Sequence, residues 1–170
     1  MPVVLFRVDD RLIHGQVAVA WGSWLKPDRI VLVNDDVARS EWKREMYTST
    51  SSMGMAMDVT TVDEFARRAV AGDWTDERVI AVFETPADLL AATEAGVAVP
   101  EANIGGMHHA EGKREILPYV YVDDADIRAL RALANRGTRL EARDVPNAPS
   151  VALTDRLPEA GEERGDGGKA

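Results

Sequence analysis

Between residues 9 and 16 the chain reads Asp9-Asp10-Arg11-Leu12-Ile13-His14-Gly15-Gln16. These side chains suit phosphoryl transfer. A neutral imidazole nitrogen of His14 can attack phosphorus, and the phosphoramidate formed is itself a good donor. Arg11 can hold phosphoryl oxygens through its planar fork of donors. The amides of Gly15 and Gln16, at a helix start, would face an anion and add the positive end of the helix dipole. Asp9 or Asp10 can orient Arg11, or hold a proton on one ring nitrogen so that the other attacks. Such chemistry is mainly positioning and charge stabilisation, and arginine and amides can supply the positive charge without a metal or cofactor. The residue types alone leave plainer alternatives open: a surface histidine and a structural ion pair.

Short apolar runs and helix-period segments must position this loop. Val3 to Val8 reads as a buried strand interrupted by Arg7, and from Gly15 the apolar residues Val17, Ala20, Trp21, Trp24 and Leu25 fall at helical spacing. Arg29 to Val33 is a second strand, followed by a loop at Asn34-Asp35-Asp36 and a polar helix to about Thr50. Met55 to Val59 alternates like a strand, with Met53, Met55 and Met57 on one face. Thr61 and Glu64 form a capping-box pattern. Val79 to Phe83 is the clearest strand, and Thr85-Pro86 starts a helix that Gly96 stops. Ala102 to Ile104 is a short strand closed by Gly105-Gly106, and Ile116 to Val122 is extended. Asp123 caps a helix with Ile127, Leu130 and Leu133 on one face, and Arg139 to Val145 suits a sheet edge. Strands separated by helices predict an α/β fold, an open, mainly parallel sheet with helices on both faces. Ligands of such sheets sit beyond the strands' carboxyl ends. The ends rich in polar groups are Asp9 to Gln16, Phe83 to Pro86 and Gly105 to His109. Thr85 is first a helix cap and second a phosphate contact. Gly105 and Gly106 suit a tight turn in a loop beside His14.

At 170 residues the chain fits one domain, placed here at 1–157, with an acidic, glycine-rich tail at 158–170. The tail holds four glycines and no large apolar side chain, so disorder is expected. The absence of cysteine excludes a thiol nucleophile and thiolate metal sites. A net charge of -9 argues against nonspecific binding to nucleic acid. The N-terminus lacks a signal-peptide pattern, and no apolar run approaches the ~18 residues of a membrane span. A cytoplasmic location without direct membrane insertion is expected.

The string Arg7-Val8-Asp9-Asp10-Arg11-Leu12-Ile13-His14-Gly15-Gln16-Val17 resembles the signature of the mannose/fructose/sorbose-type IIB family of sugar phosphotransferase systems. Arg29 to Asp35, Phe83-Glu84-Thr85-Pro86 and Asn103-Ile104-Gly105-Gly106-Met107 resemble further segments of that family, in the same order. The resemblance runs from about residue 3 to about residue 145. It implies an open α/β fold and a phosphotransferase activity. His14 would take a phosphoryl group on Nδ1 from a phosphohistidine of a IIA partner. The group would pass to a sugar bound by membrane IIC–IID components, with Arg11 steadying it. Glu84 departs from the pattern, and facing His14 it would repel a phosphoryl group. His108 and His109 follow the glycine loop and read as surface histidines. A donor with an acidic face would suit Arg7 and Arg11 if both are exposed.

Two other functions fit the sequence. One is a regulatory phosphocarrier not coupled to transport. The other is a Mg²⁺-dependent acidic pocket in which Asp9, Asp10, Asp35 and Asp36 converge and an aspartyl phosphate forms.

Overall fold

The apolar runs become strands that are buried on both faces, which is why they lack a polar side. The computed structural model describes residues 3–15, 17–49 and 54–159. Among the described residues nine strands form: β1 (Val3–Asp9), β2 (Arg29–Val33), β3 (Ala56–Thr60), β4 (Val79–Phe83), β5 (Glu101–Gly106), β6 (Arg114–Leu117), β7 (Val120–Val122), β8 (Arg139–Ala142) and β9 (Val151–Ala152). Six α-helices accompany them: α1 (Gly22–Leu25), α2 (Asp35–Arg39), α3 (Glu41–Ser49), α4 (Val62–Ala71), α5 (Pro86–Glu94) and α6 (Asp124–Asn135).

The main sheet runs β3-β2-β4-β1-β5-β8-β9, parallel except for β9. Side chains alternate between its faces with the two-residue period of a strand. On one face Val31, Val33, Val79, Ala81 and Phe83 meet Phe65 of α4, Leu89 of α5, and Ile127, Leu130 and Leu133 of α6. On the other, Ile30, Leu32, Ile80 and Val82 meet Trp21, Val37 and Tyr47. The expected helices on both faces of a mostly parallel sheet are therefore present.

Local chemistry explains the helix starts. Asn34, Thr61, Thr85 and Asp123 each accept a backbone N–H of the first helical turn, and Asp123 and Asp126 complete a reciprocal capping box. Pro86 sits where a missing N–H costs nothing.

Several expectations need correction. The segment after Gly15 begins with a π-helical turn, Val17–Trp21, before α1. The polar helix is broken at Ser40 into α2 and α3. Gly105 and Gly106 lie within β5 rather than after it. Ile116 to Val122 is not one extended run, because the chain turns between β6 and β7 to form a separate antiparallel pair. β8 ends at Ala142 and is not the edge, because β9 pairs with it antiparallel and covers its outer side. Residues 160–170 of the expected tail, and Met53, lie outside the described residues.

The connection leaving β1 runs to β2 on one side of the sheet, and the connection leaving β4 runs to β5 on the other. The loops after β1 and β4 therefore diverge and open a crevice at the carboxyl ends, where such folds bind ligands. Leu130 is fully buried, so Leu130→Ala is expected to lose about 2–5 kcal/mol of unfolding free energy. Trp42 is 65% exposed, and its replacement by alanine should change stability by less than about 0.5 kcal/mol. Urea unfolding followed by circular dichroism checks both.

Candidate active site at the carboxyl ends of the strands

Arg7 is the charged interruption in β1, and it is wholly buried. Its guanidinium donates to Asp9 Oδ2 at 2.9 Å, to Asn103 Oδ1 at 2.5 Å, and to the main-chain carbonyls of Arg143 and Asp144, each at 3.1 Å. It also lies 5.3 Å from the ring centre of Trp21. A charge can be buried only when paired and hydrogen-bonded in this way. Gly105 makes the room: a Cβ there would stand 1.9 Å from Arg7 Cζ. The condition that Arg7 and Arg11 both be exposed to an acidic donor is met only by Arg11, because Arg7 is buried within β1.

Asp9 is also fully buried and serves two cations. Its Oδ1 accepts from Arg11 main-chain N at 3.1 Å and Nε at 3.0 Å, and its Oδ2 accepts from Arg11 Nη2 at 3.0 Å as well as from Arg7. Burial opposes ionisation of this carboxyl, but the hydrogen bonds from Arg11 and the charge of Arg7 outweigh it and hold Asp9 below the ordinary carboxylate range. Arg7 is shifted downward because its burial outweighs Asp9. It remains a cation, since guanidinium titrates far above physiological pH.

Arg11 is the outward member of the pair and about one-third exposed. Nη2 also donates to Asp144 Oδ1 at 3.2 Å. The Asp9 hydrogen bond is the largest influence on Arg11 and raises its pKa further. Among the described residues no hydrogen bond takes up Nη1. Gly106 is needed here as Gly105 is beneath Arg7, because a Cβ on it would lie 2.9 Å from Arg11 Nη2.

Asp10 points elsewhere. Its carboxylate accepts from His108, through main-chain N at 2.7 Å and Nδ1 at 2.5 Å. Of the two aspartates, Asp9 orients Arg11. His108 is therefore engaged by the site loop, while His109 packs edge-on against Tyr121.

His14 is half-buried, with Nδ1 3.4 Å from the carbonyl oxygen of Leu12 and no contact to Arg11. Leu12 adopts a left-handed conformation, φ 59°, which a leucine occupies only when its surroundings over-determine it. His14 Nε2 is buried and without a hydrogen-bond partner among the described residues. The ring forms part of the wall of a cavity of about 340 Å³, lined also by Ile13, Val19, Tyr47, Met55 and Met57. Gly15 follows, exposed, at the start of the helical segment, and Gln16 lies outside the described residues.

Thr85 Oγ1 caps α5 by accepting the N–H of Asp88 at 3.1 Å. Burial pushes the Asp88 carboxyl up, with Glu84 and Asp35 adding to the effect. Glu84 accepts a hydrogen bond from Asn34 Nδ2, so its carboxylate is bonded toward the end of β2. The acidic-pocket reading loses its basis. Asp9 serves two arginines, Asp10 serves His108, Asp35 caps Val62 N, and Asp36 pairs with Lys43. Among the described residues no three His, Asp or Glu side chains come together as a metal site.

Sequence reading missed Asn103, Asp144 and the Arg143 carbonyl. The available signal was Arg7 itself: an arginine in a buried strand demands polar partners, and Asn103 is the polar residue in the next apolar strand.

A parallel α/β domain places its ligand site beyond the carboxyl ends of its strands, and here that site carries a guanidinium, a group suited to anions. Comparison with known proteins makes this specific. The family described as "PTS system sorbose subfamily IIB component" matches residues 3–166. The sorbose-specific EIIB component of Klebsiella pneumoniae is 35% identical over 159 residues, covering 94% of this chain and 97% of that protein. The mannose-specific EIIAB component of Escherichia coli K12 is 36% identical over 157 residues, covering 92% of this chain and 49% of that longer protein. The crystal structure of the IIB domain of the Klebsiella pneumoniae sorbose permease superposes with a TM-score of 0.86 at 35% identity, covering 92% of this chain and 96% of that one. The chain belongs to the sorbose-subfamily IIB components of the phosphotransferase system.

Because the Asp9 carboxylate lies below its unfolded value, it adds stability that is complete above roughly pH 4 and fades as pH falls through the folded value. Asp9→Asn would leave Arg7 buried beside a neutral amide. It is expected to cost about 3–5 kcal/mol at neutral pH and to flatten the acid loss of stability. Urea titrations from pH 7 to pH 2, followed by tryptophan fluorescence, would show it. A variant as stable as the parent would count against the ion pair.

Proposed function

We propose that this chain is a phosphoryl carrier that accepts a phosphoryl group on His14 from a IIA donor and passes it to a sugar held by membrane IIC–IID components. The observation that carries the reading is Arg11, held by Asp9 and Asp144 with Nη1 unbonded among the described residues, three positions before a histidine on the same loop. A phosphoryl group on His14 would share its loop with a cation already fixed in place. Positive charge held in place before the reaction costs no reorganisation when the phosphoryl charge arrives. The fused EIIAB relative fits a IIA partner. No helix among the described residues is long and apolar enough to cross a membrane.

The step is a displacement at phosphorus. A lone pair of the His14 ring forms the new P–N bond while the donor's P–N bond breaks and its ring keeps the electron pair. Attack through Nδ1, as the family signature implies, requires the proton on Nε2. In the resting arrangement an Nε2–H would face the cavity wall without an acceptor, costing about 1–3 kcal/mol. An Nδ1–H instead faces the Leu12 carbonyl. The ring must therefore turn out of the wall before it reacts. The Gly15 amide would meet the group as it arrives. Thr85, Gly105 and Gly106 act indirectly, by capping α5 and seating the arginines.

Incubation with phosphorylated IIA protein should label the chain, and His14→Ala should abolish labelling with the circular dichroism spectrum unchanged. The label should be lost in acid and survive base. A base-labile label, or one retained by the variant, would point to a carboxylate or another acceptor. Nitrogen-15 spectra of His14 should place the ring proton on Nδ1 in the resting protein and on Nε2 after phosphorylation.

A further inference from the structure

His108 lies outside the loop that bears Arg11 and His14, yet both of its nitrogen donors on this side serve one carboxylate of that loop. The main-chain N–H of His108 reaches Asp10 Oδ2 at 2.7 Å, and ring Nδ1 reaches Asp10 Oδ1 at 2.5 Å. The Asp10 N–H in turn donates to the carbonyl of Gly106 at 3.0 Å. The chain leaving β1 is thereby tied to the chain leaving β5 at its first residue past the strand. Arg11, the next residue, is tied back to Asp9 and across to Asp144. Leu12 N–H donates to the Asp9 carbonyl at 2.9 Å, closing the turn. His14 lies two residues further on. We propose that His108 is a positioning residue for phosphoryl transfer, clasping Asp10 so that the loop carrying Arg11 and His14 stays registered on the strand ends. This rests on the phosphoryl-carrier reading above.

The physical reason lies in where the clasp is worth anything. The His108 ring is 54% exposed and the Asp10 side chain 31% exposed. A surface pair of this kind contributes little to global folding. It acts instead on the local register of a short loop that the Asp10 N–H to Gly106 bond and the Arg11–Asp144 bond also tie down, where one more charged hydrogen bond restricts a small number of backbone dihedrals. Because the phosphoryl group must meet both the His14 ring and the Arg11 guanidinium, small displacements of that loop fall on the rate. The main-chain half of the clasp survives any substitution at 108, so the ring supplies a graded contribution rather than all of it.

Rates of phosphoryl uptake from phosphorylated IIA protein would be compared for the parent, His108→Ala and His108→Asn. The Asn side-chain amide stands near the place of Nδ1 and can donate to Asp10. His108→Ala is expected to lower kcat by about three- to tenfold, the size of one solvent-screened hydrogen bond, at unchanged KM for the donor and unchanged urea midpoint. His108→Asn should return kcat to within about twofold of the parent. Amide exchange of residues 11 to 14 should be faster in His108→Ala than in the other two, with or without donor. Equal rates in the parent and His108→Ala, or no recovery in His108→Asn, would overturn the positioning role. A parent that takes no label, with the exchange difference intact, would instead remove the phosphoryl-carrier reading while leaving the clasp.

Discussion

The buried ion pair between Arg7 and Asp9 is the constraint around which this site is built. A guanidinium with no solvent contact in the middle of a strand is tolerable only if the fold surrounds it with acceptors. The chain does so from four places: Asp9 on the same strand, Asn103 on β5, and the carbonyls of Arg143 and Asp144 just past β8. Those acceptors tie β1, β5 and the segment after β8 to one another at the carboxyl ends of the sheet. Gly105 is the corresponding absence, a position where any side chain would occupy the guanidinium's place.

From that pair the order extends outward. Asp9, already fixed by Arg7, has the remaining lone pairs to hold Arg11 through its main-chain N, Nε and Nη2. Arg11 is thus held by a carboxylate that cannot itself move. Asp144 touches the same guanidinium from the other side while its carbonyl faces Arg7. Charges alternate from the interior to the surface, and the outermost cation keeps one donor nitrogen unbonded among the described residues. A phosphoryl group arriving there would compete with Asp144 alone for the exposed edge of Arg11, since the Asp9 contacts lie beneath it.

The opposite wall of the site is apolar. Trp21 stacks behind Arg7, and the His14 ring borders a cavity lined by Ile13, Val19 and methionines. An imidazole with its inner nitrogen buried beside such a wall is withdrawn in the resting arrangement. The left-handed Leu12 between Arg11 and His14 is the joint at which the loop turns from the polar side to the apolar one.

Strands β1 to β5 and β8, helices α4 to α6, the caps at Thr61, Thr85 and Asp123, and the helix stop at Gly96 were legible in the sequence, because each rests on local periodicity or on one side chain meeting a neighbouring N–H. The family resemblance rested likewise on a contiguous string. What only the tertiary structure decided is where isolated polar residues point. Arg7 reads as an interruption of a strand and becomes the buried centre of the site. Gly105 and Gly106 read as a turn and become strand positions hollowed out for two guanidiniums. Asp9 and Asp10 are indistinguishable as neighbours, yet Asp9 is the last residue of β1 and faces inward to the arginines, while Asp10 lies in the turn and reaches across to His108. Asn103, Asp144 and His108 join the site from more than ninety residues away along the chain. Such pairings are set by the register of parallel strands, a property of the whole sheet that no local pattern encodes.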